Sequence, residues 1–278
     1  MHQKTVLITG CSVGGIGSSL AQSFQKQNYH VFATARTLSK LSHLADIPSI
    51  TLLTLDVTSS SSIANTVQAV HAQTGGFLDI LVNNAGVNYV SPTLDISIQK
   101  AREVFDVNFW GTVECVHAFA PLLMNAKDGG VIVNNSSILS VLNCPFQSIY
   151  NASKAAVSMY GEVLRLEMEP LDVRVVTLVT GSVKTKINDA GSGFERREGS
   201  RYRAIECSVE KVAYGQHVPN QMTSDEYAER VVGDILGGVK GKIWRGGNST
   251  LVRCLDALPQ VAMVCLDLTA EEGLLTTL

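Results

Sequence analysis

Short apolar, β-branched runs recur at 5–9, 30–35, 50–55, 78–82, 131–135 and 173–179. Segments with helical spacing of apolar residues separate them, such as Ile63-Val67-Val70 and Val157-Tyr160-Leu164. Strands that alternate with helices are joined by crossovers, which leave neighbouring strands parallel and put helices on both faces. The pattern predicts an α/β fold, a single Rossmann-type, doubly wound parallel sheet. A further helix is expected from about Asp225 to Leu236, capped by Thr223 or Ser224, and a last short strand from Lys242 to Arg245.

No internal repeat and no proline- or serine-rich linker divides the 278 residues, so one domain over 1–278 is expected. Hydrophobic residues at 45% against 17% charged allow it a sizeable core. The interval 186–222 breaks the alternation: it is polar, mixed in charge and punctuated by Gly191, Gly193, Gly199 and Gly215. Such an interval is a lid or a disordered excursion, and the lid reading places it over a substrate. A tail of about 247–278 follows.

Several function classes are set aside. Net charge is −3 with no basic block, so nucleic acid is not an expected partner. Six scattered cysteines without a C-x-x-C pair suit a reducing compartment and packing roles, and no metal site is expected. The chain enters its first strand almost at once, which predicts neither signal nor transit peptide. With no apolar stretch of the ~18–20 residues a membrane span needs, a cytoplasmic protein is expected. The tail segment "LPQVAMVCLDL" leaves three readings open: packing on the domain, a dimer contact, or contact with a membrane or lipid-droplet surface.

The first strand runs into "TGCSVGGIG", whose glycines, Gly10, Gly14, Gly15 and Gly17, miss the G-x-G-x-x-G spacing. They also exceed the looser T-G-x-x-x-G-x-G pattern by one residue. Gly10 would allow a tight exit from the strand, and Gly15, Ile16 and Gly17 would bring backbone close to a pyrophosphate at a helix N-terminus. The second strand, "HVFATAR", ends in Arg36 and lacks the carboxylate that would hold the adenosine ribose hydroxyls of NAD. A guanidinium fork pairs with a 2′-phosphate that an acid would repel, and Ser12 offers a second donor. NADP(H) is the expected cofactor; the plain alternative for Arg36 is a solvated side chain.

"YNASK" places Tyr150 and Lys154 on one helix face. A phenol with a pKa near ~10 is a poor acid or base at neutral pH, and a neighbouring ammonium is expected to lower it. Ser137 stands 13 residues before Tyr150 at the end of a buried strand, "VNNSSILS". Alone, Y-x-x-x-K is a weak sign, because surface helices carry such pairs by chance. Two more segments stand in order with it: "NNAG" (Asn83 to Gly86) after the fourth strand and "FDVNFWG" (Phe105 to Gly111) in the helical region beyond.

Together these motifs resemble the short-chain dehydrogenase/reductase family over about residues 4 to 185. Within it, "TGCSVGGIG", "HVFATAR", "NASKAA", "VTGSVKT" and "YAERVVGDIL" look like fungal reductases of the NADPH-dependent 1-acyldihydroxyacetone phosphate reductase type, to about residue 245. The resemblance implies reversible NADPH-dependent reduction of a ketone or aldehyde, and a homo-oligomer, dimer or tetramer. The substrate would be an acyl-dihydroxyacetone phosphate of lipid metabolism or a ketone of fungal secondary metabolism. It implies a catalytic tetrad of Asn108, Ser137, Tyr150 and Lys154. Tyr150 would give a proton to the carbonyl oxygen, Ser137 would orient that oxygen, and Lys154 would hold the nicotinamide ribose. Asn108 would keep a proton-relaying water beside Lys154. Capping for Ser137 and a purely structural amide for Asn108 are the alternatives, and for Ser136 the structural role is favoured.

The family pattern also implies Asp56 and Val57 near the adenine, Asn83, Ala85 and Gly86 along the ribose, and Val183 and Thr185 near the nicotinamide amide. Thr180-Gly181 departs from the proline-glycine of many relatives, which implies an altered loop shape. Between serine and tyrosine, Leu142, Asn143, Phe146 and Gln147 are substrate candidates. Lys184, Lys186, Arg196, Arg197, Arg201 and Arg203 charge the lid region, but Asp189, Glu195, Glu198, Glu206 and Glu210 interleave, so a phosphate site competes with an ordinary solvated loop. A scaffold that binds cofactor, or a non-redox catalyst in a reductase-like pocket, is the alternative to a reductase.

Overall fold

The computed structural model describes residues 3–189, 191–195, 197–216 and 218–256. Seven strands form one sheet. They are β1 (Thr5–Ile8), β2 (His30–Ala35), β3 (Ile50–Thr54), β4 (Ile80–Asn83), β5 (Gly130–Asn135), β6 (Val173–Thr180) and, last in the chain, β9 (Gly241–Arg245). Their order is β3-β2-β1-β4-β5-β6-β9, and every pairing is parallel. The doubly wound sheet expected from the alternation is therefore present.

Side-chain alternation splits the core into two layers. Val6, Ile8, Val31, Ala33 and Val133 meet α1 (Ile16–Lys26) and α7 (Ser224–Leu236) through Leu20, Phe24, Tyr227 and Val231. Leu7, Phe32, Leu81 and Ile132 meet α2 (Ser60–Thr74), α4 (Gly111–Met124) and α5 (Ser148–Met168) through Ile63, Phe119 and Leu164. Burial on both faces is why these strands read as unbroken apolar runs. Thr223, one of the two expected caps, starts α7 by accepting the Glu226 amide.

Helix α3 (Ile98–Phe105) passes into α4 through a π-helical turn, Asp106–Trp110. The lid is more regular than its sequence implies. Two short parallel strands, β7 (Val183–Lys184) and β8 (Met222–Thr223), close its base, and α6 (Glu206–Ala213) lies inside it. Val209, Val212 and Ala213 of α6 pack with Val90 and Ile205, an apolar face too short to declare a period. The tail begins as α8 (Ser249–Asp256), with Val252 buried beside Ile138 and Val179. The segment "LPQVAMVCLDL" lies outside the described residues, as does Arg196. Among the described residues no helix is long and apolar enough to cross a membrane, and no acid, histidine and cysteine cluster could hold a metal.

Phe119 is fully buried against the sheet. Phe119→Ala is expected to cost about 3–5 kcal/mol of unfolding free energy, read as a lower urea midpoint with an unchanged slope.

Candidate active site

β1 lies between β2 and β4, so the chain leaves neighbouring strand ends toward opposite faces, and a crevice opens there. A cleft of about 350 Å³ occupies it. A second cleft, about 280 Å³, opens at the amino ends of the strands, where Lys4 pairs with Asp128 and Lys240 with Glu169.

Gly10, Ser12, Gly15 and Ile16 line the main cleft. Gly10 has φ +75°, and a Cβ on it would lie 2.9 Å from the Ala85 Cα, so the turn needs glycine for both its angle and its closeness. Gly17 is buried in the first turn of α1 behind the Gly10 carbonyl. The lengthened turn projects at Gly14, φ +74°, whose carbonyl accepts the Lys186 amide at 3.2 Å. The Lys186 stem crosses directly over Gly14, where a Cβ would meet its Cδ at 2.9 Å. The lid thus rests on the turn at Gly14.

α1 opens with neither a side-chain cap nor an acidic residue in its first turn, leaving its N-terminal amides suited to an anion. Arg36 and Lys40 line the cleft beside Ser12. Lys40 escaped the sequence reading because a 3₁₀ stretch, Leu38–Leu44, rather than a regular helix follows Arg36. Asp56 and Val57 also line the cleft, though Asp56 Oδ1 accepts from the amide and hydroxyl of Thr58. A dinucleotide therefore fits this donor set: free helix amides for a pyrophosphate, and two cations with no opposing carboxylate at the end of β2.

Ala85 and Gly86 line the cleft, and Asn83 does not. Asn83 still belongs to the strand, and its side chain turns into the sheet interior toward Asn134 Oδ1 at 2.9 Å. The asparagine at the cleft is Asn84. Val183 and Thr185 line the wall beside Thr180 and Gly181.

Ser137, Tyr150 and Lys154 come together at the cleft. The Ser137 hydroxyl is set to favour the Tyr150 phenolate, and Ser137 Oγ accepts the Leu139 amide at 3.1 Å. Lys154 Nζ stands 5.8 Å from the Tyr150 ring centre and donates to the Asn135 carbonyl at 2.8 Å. Ser136 has the structural role: its hydroxyl donates to the Lys154 carbonyl at 2.8 Å and contacts Ser158. The expected lowering of the tyrosine pKa is not found. Burial pushes Tyr150 up to about 12 against the opposing Ser137 hydrogen bond. Burial also brings Lys154 down to about 8.

Asn108 sits on the π-helical turn, buried beside the cleft. Its amide donates to the Val87 carbonyl and to Ser153 Oγ, each at 3.0 Å, and its Oδ1 accepts the Val87 amide at 2.8 Å. Asn108 Oδ1 and Lys154 Nζ both approach Gly86. A Cβ on Gly86 would lie 3.3 Å from Asn108 Oδ1 and 3.5 Å from Lys154 Nζ.

The substrate candidates are placed elsewhere. Gln147 is buried and donates to Asn88 Oδ1 at 3.0 Å, Phe146 joins the apolar cluster around Val90, and Leu142 packs near Val179. Asn143 is exposed outside the cleft lining. Side chains that packing and hydrogen bonding already occupy are not free to face a ligand. Val87, Lys186 and Ile187 line the cleft instead.

Comparison with known proteins gives the family. The family described as short chain dehydrogenase matches residues 4–194. The short-chain dehydrogenase ptmH of Penicillium ochrochloron is 44% identical over 258 residues, covering 93% of this chain and 94% of that protein. The NADPH-dependent 1-acyldihydroxyacetone phosphate reductase of Schizosaccharomyces pombe is 35% identical over 270 residues, covering 92% and 90%. Among solved structures, a short-chain dehydrogenase from Streptomyces avermitilis superposes with a TM-score of 0.78 at 25% identity, covering 98% of this chain and 96% of that one.

The two positive-φ glycines of the turn should differ in tolerance. A Gly10 side chain meets backbone, whereas one on Gly14 meets a flexible lysine stem. Gly10→Ala is expected to lower the melting temperature clearly more than Gly14→Ala, with left-handed strain of about 1–2 kcal/mol common to both.

Proposed function

The chain belongs to the short-chain dehydrogenase family, and on that premise we propose that it is an NADPH-dependent reductase of an uncharged ketone or aldehyde. The observation that carries this reading is the convergence of Ser137, Tyr150 and Lys154 on the same cleft as the glycine turn, with Lys154 Nζ 5.8 Å from the Tyr150 ring centre. A bound NADPH supplies the hydride that reaches the carbonyl carbon.

The chain's own residues manage the proton. With its pKa pushed up to about 12, Tyr150 is a neutral phenol at physiological pH and holds the proton that the carbonyl oxygen takes. Ser137 donates a hydrogen bond to that oxygen and fixes its direction. As the phenol gives up its proton, the Lys154 ammonium stabilises the phenolate.

Arg36 and Lys40 support NADPH over NADH, as does the stated cofactor of the Schizosaccharomyces pombe relative. The lid supports an uncharged substrate. Lys184, Arg197, Arg201 and Arg203 are exposed and outside the cleft lining, and Lys186 lies over the phosphate turn. A substrate phosphate would find little of the positive charge that the lid sequence carries. The homo-oligomer is assigned to an apolar stripe, Met159, Val163 and Leu166, at i, i+4 and i+7 on α5.

Tyr150→Phe should lose at least about 100-fold in turnover on a ketone panel followed by NADPH absorbance, while NADPH binding survives. Wild-type rates in that variant would sink the assignment. Arg36→Ala with Lys40→Ala should raise KM for NADPH about tenfold or more and leave NADH nearly untouched; equal use of both cofactors by the wild type would contradict it. Lys154 is charged below about pH 8 and neutral above it, so kcat/KM for reduction should fall as pH rises through that value. A profile flat from pH 6 to 10 would remove Lys154 from the proton step.

A further inference from the structure

A line of polar side chains runs from buried Tyr227 through Thr180, Asn135 and Asn84, which line the cleft, and its hydrogen-bond directions can be assigned from one end. The Asn84 amide donates to the carbonyls of Thr9 at 3.0 Å and Gly10 at 3.1 Å. Carbonyls only accept, so Asn84 must present its nitrogen to them and its oxygen to the other side. Asn135 meets that oxygen with its own nitrogen at 2.9 Å. The Asn135 oxygen is then left to accept the Thr180 hydroxyl at 2.5 Å. With its only proton committed there, Thr180 accepts from the Tyr227 hydroxyl at 2.6 Å. Each donor therefore points the same way, from α7 through β6 and β5 to the glycine turn.

Two features tie this line to the chemistry. Asn135 is the residue whose carbonyl holds Lys154 Nζ, and Ser137 follows two residues later. Gly10 opens the phosphate turn. We infer that Thr180 and Tyr227 are positioning residues, which fix Asn135 and so register Lys154 and the phosphate turn against each other. The assignment rests on the reductase reading above for its kinetic consequence, and not for its structural one. Tyr227 is wholly buried, and its hydroxyl is the outer end of the line, while Thr180 borders the cleft. Thr180 stands where the resemblance implies a proline in many relatives, a residue that has no hydroxyl to give. It remains in register with Arg245 of β9, so the departure adds a side-chain bond without breaking the ladder.

The decisive variants are Thr180→Val, which keeps the shape and removes the hydroxyl, Thr180→Ser, which restores it, and Tyr227→Phe. Thr180→Val should lower kcat about tenfold and weaken NADPH binding severalfold by fluorescence titration, since it strands two buried polar partners. Thr180→Ser should return both within about twofold of wild type, and Tyr227→Phe should fall between, because the Thr180–Asn135 bond survives it. Hydrogen exchange on the protein without cofactor gives a readout independent of turnover. Peptides spanning 9–17 should exchange faster in Thr180→Val and return to wild-type rates in Thr180→Ser. If the folded Thr180→Val protein keeps wild-type exchange at 9–17 and wild-type NADPH affinity, the assignment is overturned, whatever its melting temperature. If the wild type reduces no ketone, the reductase reading falls by itself, and the exchange comparison still decides whether Thr180 registers the turn.

Discussion

Where β1 and β4 part, the backbone carbonyls of Thr9 and Gly10 face Asn84, whose amide takes both. Buried backbone groups at a diverging sheet edge must find partners or destabilise the fold. Thr9 completes the joint, its hydroxyl accepting the amides of Asn84 and Ala85, each at 2.9 Å. The crevice is held open by these bonds, and the glycine turn, the Asn84–Gly86 wall and the strand ends bearing Asn135 and Ser137 are all set relative to it.

Burial then divides the labour of two titratable groups. The same desolvation that keeps Tyr150 protonated makes Lys154 easier to neutralise, because each change disfavours a charge. In the resting protein one donor of the Lys154 ammonium is held by the Asn135 carbonyl, which fixes the cation 5.8 Å from the Tyr150 ring centre. The pair is arranged as a loaded proton donor with a cation in reserve, which suits reduction, where the phenolate arises only as the proton leaves.

Much of this was legible in the chain. Strands buried on both faces announce themselves as apolar runs, and Ser137, Tyr150 and Lys154 are close enough in sequence for their spacing to carry meaning. Arg36 could be placed at the cleft because it closes a strand that was itself legible. Other features depend on geometry that no local pattern reports. Lys40 joins Arg36 only through a 3₁₀ stretch, and Phe146 takes φ +65° and turns away from the cleft. α6 is too short to show a period. The Tyr227–Thr180–Asn135 line joins residues 47 and 45 positions apart, and each looks ordinary where it stands. Asn83 was misplaced for a related reason: two adjacent asparagines straddle the end of β4, and only the strand's last residue decides which one faces inward.

The contact between Gly14 and Lys186 bears on how this protein could be recombined with others. A chimera that took its phosphate turn from a relative of ordinary loop length would leave the lysine stem above a gap. One that took its lid from elsewhere would strip the Gly14 carbonyl of its donor. Although far apart in the chain, the turn and residue 186 make one exchangeable unit, and any crossover point between them separates parts shaped for each other.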